Sequence, residues 1–155
     1  MNEIKIEHFK LGSFATSPEE MAMLAGISFP IAQRVPGAVG NAFDWQQWYS
    51  AWLEKVGGAE AVPAPSQLIV EAADTFEASI PWEQLGEAAV LYKLDGEPLQ
   101  KTGPIRLYVP NGSSKCLNVK SIVKLKIGQN AASGTEEATY GFKHTFSAEE
   151  LRKNK

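Results

Sequence analysis

PIRLYVPNGSSKCLNVKSIVKLKIG, residues 104–128, reads as two strands around a polar loop that holds the only cysteine of the chain. Ile105, Leu107 and Val109 alternate along the first strand, which Pro110 closes because proline cannot donate to a ladder. In the second, Val119, Ser121, Val123, Leu125 and Ile127 fall on one face, and Lys120, Ile122, Lys124 and Lys126 on the other. The loop between them, NGSSKCL, offers small residues and backbone N–H groups beside Lys120. Such a nest can bind phosphate. Lys120 therefore reads either as the cation of an anion site or as an ordinary solvated lysine. Lys124 and Lys126 read as an extension of that site or as a wet strand face guarding a sheet edge. Cys116, between Lys115 and Lys120, is either a thiol activated by cationic neighbours or a small packing residue at a strand entrance.

Upstream, Ile4 and Ile6 alternate with Lys5 and Glu7 in a half-wet strand. Ser17 caps a short helix with Pro18 at its first position, Glu19 and Glu20 in the first turn and Gly26 as its stop. Residues 27–43, with Pro30, Pro36, Gly37, Gly40 and Asn41, read as an irregular connection. DWQQWYSAWLEKVGG (44–58) is the clearest helix. Asp44 caps it, Gln47 completes a capping-box variant, and Gly57 and Gly58 end it. Trp45, Trp48, Trp52 and Val56 form one helical stripe, which reads as core packed against a sheet in preference to a ligand cage. Residues 68–74 and 75–80 form a hairpin around Ala73–Asp74. Pro81 starts a single helical turn, and residues 89–99 form a strand running into an Asp95–Gly96 turn.

The order of elements is mixed α+β, not a regular βαβ alternation. The expected organisation is one domain over 1–128 and a polar tail over 129–155 that ends in a short helix capped by Ser147.

With 155 residues, 44% hydrophobic and 21% charged, the chain has a globular composition large enough for one real core. Its net charge of −3 gives no basis for nucleic-acid binding. No apolar run reaches the ~18 residues of a membrane span. The first ten residues alternate charged and apolar types and lack a signal-peptide core, so a cytoplasmic protein is expected. One cysteine excludes an internal disulfide and a cysteine-rich zinc site. There is no H-E-x-x-H, P-loop or G-x-G-x-x-G. His8 and His144 stand outside any motif. The pairs Glu19–Glu20, Glu136–Glu137 and Glu149–Glu150 are adjacent in sequence and diverge on a helix, so none forms an acid/base dyad.

ASIPWEQL (78–85), LDGEPLQ (94–100), GPIRLYVP (103–110) and NVKSIVKLKI (118–127) stand in an order and at spacings that resemble the C-terminal part of the molybdopterin-binding domain of the sulfite oxidase family. The resemblance covers residues 43–127 and includes the 44–58 helix. It implies a mixed α+β domain of the sulfite-oxidase type, in truncated or minimal form. In that family a molybdenum atom is held through the dithiolene of a pterin cofactor, and the loop matching SSKCLNVK contacts the pterin and its phosphate. The resemblance thus implies a cofactor-binding set of Asn111, Gly112, Ser113, Ser114, Asn118, Val119 and Lys120. Ser121 stands where the family usually has tryptophan. The family ligates molybdenum with a cysteine in the first half of the domain, but this chain has none before Cys116, and its Gly40–Asn41 pair lacks the accompanying cysteine and arginine. The expectation is therefore a divergent module that binds a small anionic ligand or a protein partner without normal molybdenum redox catalysis, with no catalytic or metal-ligating residue assigned. The alternative is a molybdopterin-dependent oxidoreductase with an atypical metal environment.

Overall fold

Ile4 and Ile6 are fully buried in strand β1 (Ile4–His8), as their alternation requires. The computed structural model describes residues 3–58, 62–129 and 139–142. β1 turns back into β2 (Gly12–Thr16), pairing His8 with Gly12 and Ile4 with Thr16. The sequence does not announce β2, because Phe14 is its one large apolar residue and a single such residue has no period.

Helix α1 (Pro18–Ala25) starts where expected: the Ser17 hydroxyl accepts the Glu20 N–H at 3.2 Å, and Gly26 closes it at φ 87°. The stretch read as an irregular connection instead contains two short strands, β3 (Ser28–Pro30) and β4 (Asn41–Asp44), paired antiparallel. Pro30 sits on an outer strand, where its missing N–H costs nothing, and Pro36 and Gly37 lie in the link between strands.

Helix α2 (Trp45–Val56) follows directly. Asp44 Oδ2 accepts the Gln47 N–H at 2.8 Å, and Gly57 closes the helix in the left-handed region at φ 84°. Strands β5 (Gln67–Ala72) and β6 (Phe76–Pro81) form the expected hairpin. A 3-10 turn over Trp82–Leu85 leads to β7 (Ala89–Leu94), then β8 (Glu97–Pro98), β9 (Arg106–Tyr108), β10 (Ile122–Gly128) and β11 (Thr139–Phe142). β11 falls within the segment expected to be a polar tail and pairs with β6. The helix expected after Ser147 lies outside the described residues.

Among the described residues the strands form two sheets. One has the order β11-β6-β5-β10-β1-β2, in which only β1 and β10 run parallel. In the other, β7 pairs with β4, β8 and β9, and β3 lies beyond β4. The inner face of the first sheet packs on α2 through Ile6, Leu68, Val70, Ile80, Leu125 and Ile127. The tryptophan stripe is core: Trp45 and Trp48 are wholly buried, and successive ring centroids lie 5.1 and 5.7 Å apart from Trp45 through Trp48 to Trp52. Each such side chain contributes roughly 1.5–3 kcal/mol through burial. Among the described residues the architecture is mixed α+β, with two α-helices and mostly sheet. No described helix is long and apolar enough to cross a membrane.

β10 departs from its simple alternation. Ser121 takes φ 57°, and the pairing with β5 shifts between Ile122 and Lys124. This bulge resets the side-chain phase, so Ile122 is buried with Leu125 and Ile127 instead of sharing a face with the lysines. Nor do Lys124 and Lys126 guard an edge. β10 is interior, and its lysines pair across the outer face: Lys124 with Glu7 (3.3 Å) and Glu71 (3.9 Å), and Lys126 with Glu77 (3.7 Å).

Candidate functional site

The loop from β9 to β10 is held from inside. Leu117 and Val119 are buried, the Val109 N–H donates to Asn118 Oδ1 at 2.7 Å, and the Leu107 N–H donates to the Val119 carbonyl at 2.9 Å. A side chain on Gly112 would bring a Cβ to 3.0 Å from Val109 Cγ1 and 3.1 Å from Leu117 Cδ1, so this tight turn favours glycine. A 3-10 turn (Lys115–Leu117) follows, capped by Ser114, whose hydroxyl accepts the Cys116 N–H at 3.0 Å.

These contacts correct the expectation of an open nest. The Gly112 N–H donates to the Val109 carbonyl at 2.9 Å, and the Ser113 N–H donates to Gln84 Oε1 at 3.1 Å. With the Cys116 N–H also engaged and the Leu117 N–H donating to the Ser114 carbonyl at 3.2 Å, four donors of residues 111–117 are already used within the protein.

The loop separates two clefts. One, of about 420 Å³, lies between Arg34–Pro36 and Gly112–Ser114. The other, of about 470 Å³, is lined by Asp74, Thr102, Arg106, Cys116, Val119 and Lys120. Asn118 lines both. The candidate residues are thus divided: Gly112, Ser113 and Ser114 face the first cleft, Val119 and Lys120 the second, and the exposed Asn111 lines neither.

Two arginines that the sequence reading did not single out face these clefts, and their states differ. Arg34 is committed. Its Nη1 donates to Asp44 Oδ1 at 2.7 Å and to the Glu87 and Ala88 carbonyls at 3.1 and 3.2 Å, while its guanidinium lies 4.5 Å from the Phe29 ring centroid. Arg106 is not. Its Nε is sealed from solvent without a hydrogen-bond partner among the described residues, and its guanidinium stacks 4.9 Å from the Tyr108 ring centroid. A buried N–H of a cationic group without an acceptor is costly, and the Arg106 side chain that carries it also lines the cleft. Arg106 was legible only as a strand residue; its distinguishing signal is a cation inside an otherwise apolar alternation. The cleft's one carboxylate, Asp74, accepts the Phe76 N–H at 3.1 Å.

No protein-family model matches this chain, and no curated protein does. The donor set itself can be tested against the pterin cofactor that the sequence resemblance implies. Arg106 and Lys120 in one cleft suit a phosphate. The single thiol, Cys116, is exposed in that same cleft beside Lys120, and among the described residues no group of three His, Cys, Asp or Glu side chains is placed to hold a metal ion. His144 lies outside the described residues, and His8 is buried away from both clefts against Tyr49 of α2.

Proposed function

We propose that the protein is a divergent sulfite-oxidase-type module that binds a small anionic ligand, of the phosphate-bearing pterin class or smaller, without molybdenum redox catalysis. The observation that carries this reading is that Arg106, whose buried Nε has no partner among the described residues, and Lys120 line the same cleft. Two cations on one concave wall, one of them short of an acceptor, match an anion better than a neutral ligand. Thr102 and Asn118 add polar lining.

Titration of labelled protein with inorganic phosphate tests the site. Amide shifts should be confined to residues 72–76, 102–106 and 116–120, and Lys120→Ala should move their midpoint to roughly tenfold higher phosphate. Shifts elsewhere, or shifts indifferent to Lys120, would overturn the assignment. The oxidoreductase alternative draws on one observation, the Cys116 thiol opening on the same cleft. It requires stoichiometric molybdenum in protein purified from a cofactor-competent host, whereas the binding-module reading expects none.

A further inference from the structure

His8 is buried at the end of β1 and fastened on both sides of its ring. Its Nδ1 accepts two backbone N–H groups of the β1–β2 turn, from Lys10 at 3.0 Å and Leu11 at 3.3 Å. An imidazole nitrogen that accepts carries no proton, so the neutral ring is protonated at Nε2. Nε2 then donates to the Tyr49 hydroxyl at 2.9 Å, across to α2. The ring also stacks between Phe9, at 4.7 Å between centroids, and Trp52, at 5.4 Å.

We propose that His8 is an acid-released latch: a proton on Nδ1 evicts the Lys10 and Leu11 N–H groups and frees the β1–β2 turn while the sheet stays paired. An imidazolium donates at both nitrogens, so a protonated Nδ1 would face two N–H donors at hydrogen-bond distance. Among the described residues, no carboxylate pairs with the ring to stabilise the cation. Glu7, the preceding residue, is on the opposite face with Lys124, and Lys126 of β10 turns to Glu77 on that same outer face. Lys10 is exposed, and from α2 the titratable group in contact is the neutral Tyr49 phenol. Burial accordingly holds the His8 pKa below its ordinary value of 6.5.

The turn carries its own control. The Phe9 N–H donates to the Ile127 carbonyl at 3.0 Å and owes nothing to His8. Amide hydrogen exchange on the full chain, expressed as protection factors between pH 7.5 and 5, reads the latch directly. Once released, the ring titrates near 6.5, so protection of Lys10 and Leu11 should fall about tenfold for each pH unit below that value, while Phe9 remains protected. Nitrogen shifts of the ring should give the Nε2-protonated tautomer at neutral pH. Retained protection at Lys10 and Leu11, simultaneous loss at Phe9, or an Nδ1-protonated ring at neutral pH would each overturn the latch.

Discussion

Asp44 does two jobs with two oxygens. Oδ2 caps α2 by accepting the Gln47 N–H, and Oδ1 holds Arg34 at 2.7 Å against the second sheet. Asp44→Ala should therefore cost more than the ~1 kcal/mol of an ordinary cap, on the order of 2–4 kcal/mol, because it also strips a half-buried guanidinium of its carboxylate. Asp44→Asn keeps the cap and loses only the charge, so urea denaturation should place it well above Asp44→Ala. Equal losses would mean that the Arg34 pair dominates and the cap is minor. Thr75 offers the opposite kind of test. It is a β-branched residue at φ 73° in the β5–β6 turn, where its Cβ crowds the backbone. Thr75→Asn should raise stability by about 1 kcal/mol in the same measurement, since asparagine tolerates this region. A loss would show that the Thr75 hydroxyl bond to the Asp74 carbonyl outweighs the strain.

At the scale of elements, the strand β10 separates two roles that its lysines share in sequence. Lys124 is paired with Glu7 and Glu71 on the outer face, whereas Lys120 precedes the bulge and lines the cleft. Lys124→Ala should cost less than about 1 kcal/mol of stability and leave phosphate binding unchanged. Lys120→Ala should leave stability unchanged and weaken phosphate roughly tenfold, the worth of one charge-assisted hydrogen bond. Calorimetric titration beside urea denaturation distinguishes the two, and a binding loss in Lys124→Ala would move the site to the outer face. These elements also mark what the sequence could tell. Both helices were legible because their caps are local: Ser17, Asp44, Gly26 and Gly57 each act within a few residues. The tryptophan stripe declared its buried face for the same reason. The register shift between Ile122 and Lys124 was not legible, since neither it nor the positive φ of Ser121 just before it has a sequence signature. The strands β3 and β4 were hidden because three or four residues are too few to show a period. Of the residues read from the sequence, Asn118, Val119 and Lys120 line the Arg106 cleft, whereas the small residues Gly112, Ser113 and Ser114 face the other one. Arg106 was not legible, because whether a strand arginine is paired or stranded depends on which elements the fold brings to it.

For the whole molecule, the buried His8–Tyr49 pair sets limits on stability at both ends of the pH scale. His8 is held below its ordinary 6.5 by burial, so as pH falls through 6.5 the unfolded chain takes up a proton that the folded chain refuses. Its contribution is complete above 6.5 and is lost progressively below it. Tyr49 works in the other direction. Burial pushes its phenol from 10.0 up to about 12, so between those values the unfolded chain gives up a proton that the folded chain keeps, and stability falls as pH rises. A shift of that size is worth about 2 kcal/mol by pH 12. Chemical denaturation from pH 5 to 12 should accordingly show a plateau between 6.5 and 10 with a decline on each side. Tyr49→Phe should flatten the alkaline limb, because phenylalanine keeps most of the packing with Trp52 and Trp82 but has nothing to ionise. It should leave the acid limb in place, since the Nδ1 side of His8 keeps its two backbone donors. An alkaline limb that persists in Tyr49→Phe would assign that loss to other groups. An acid limb that disappears with Tyr49 would mean that the Nε2 contact, and not the turn held at Nδ1, keeps His8 neutral.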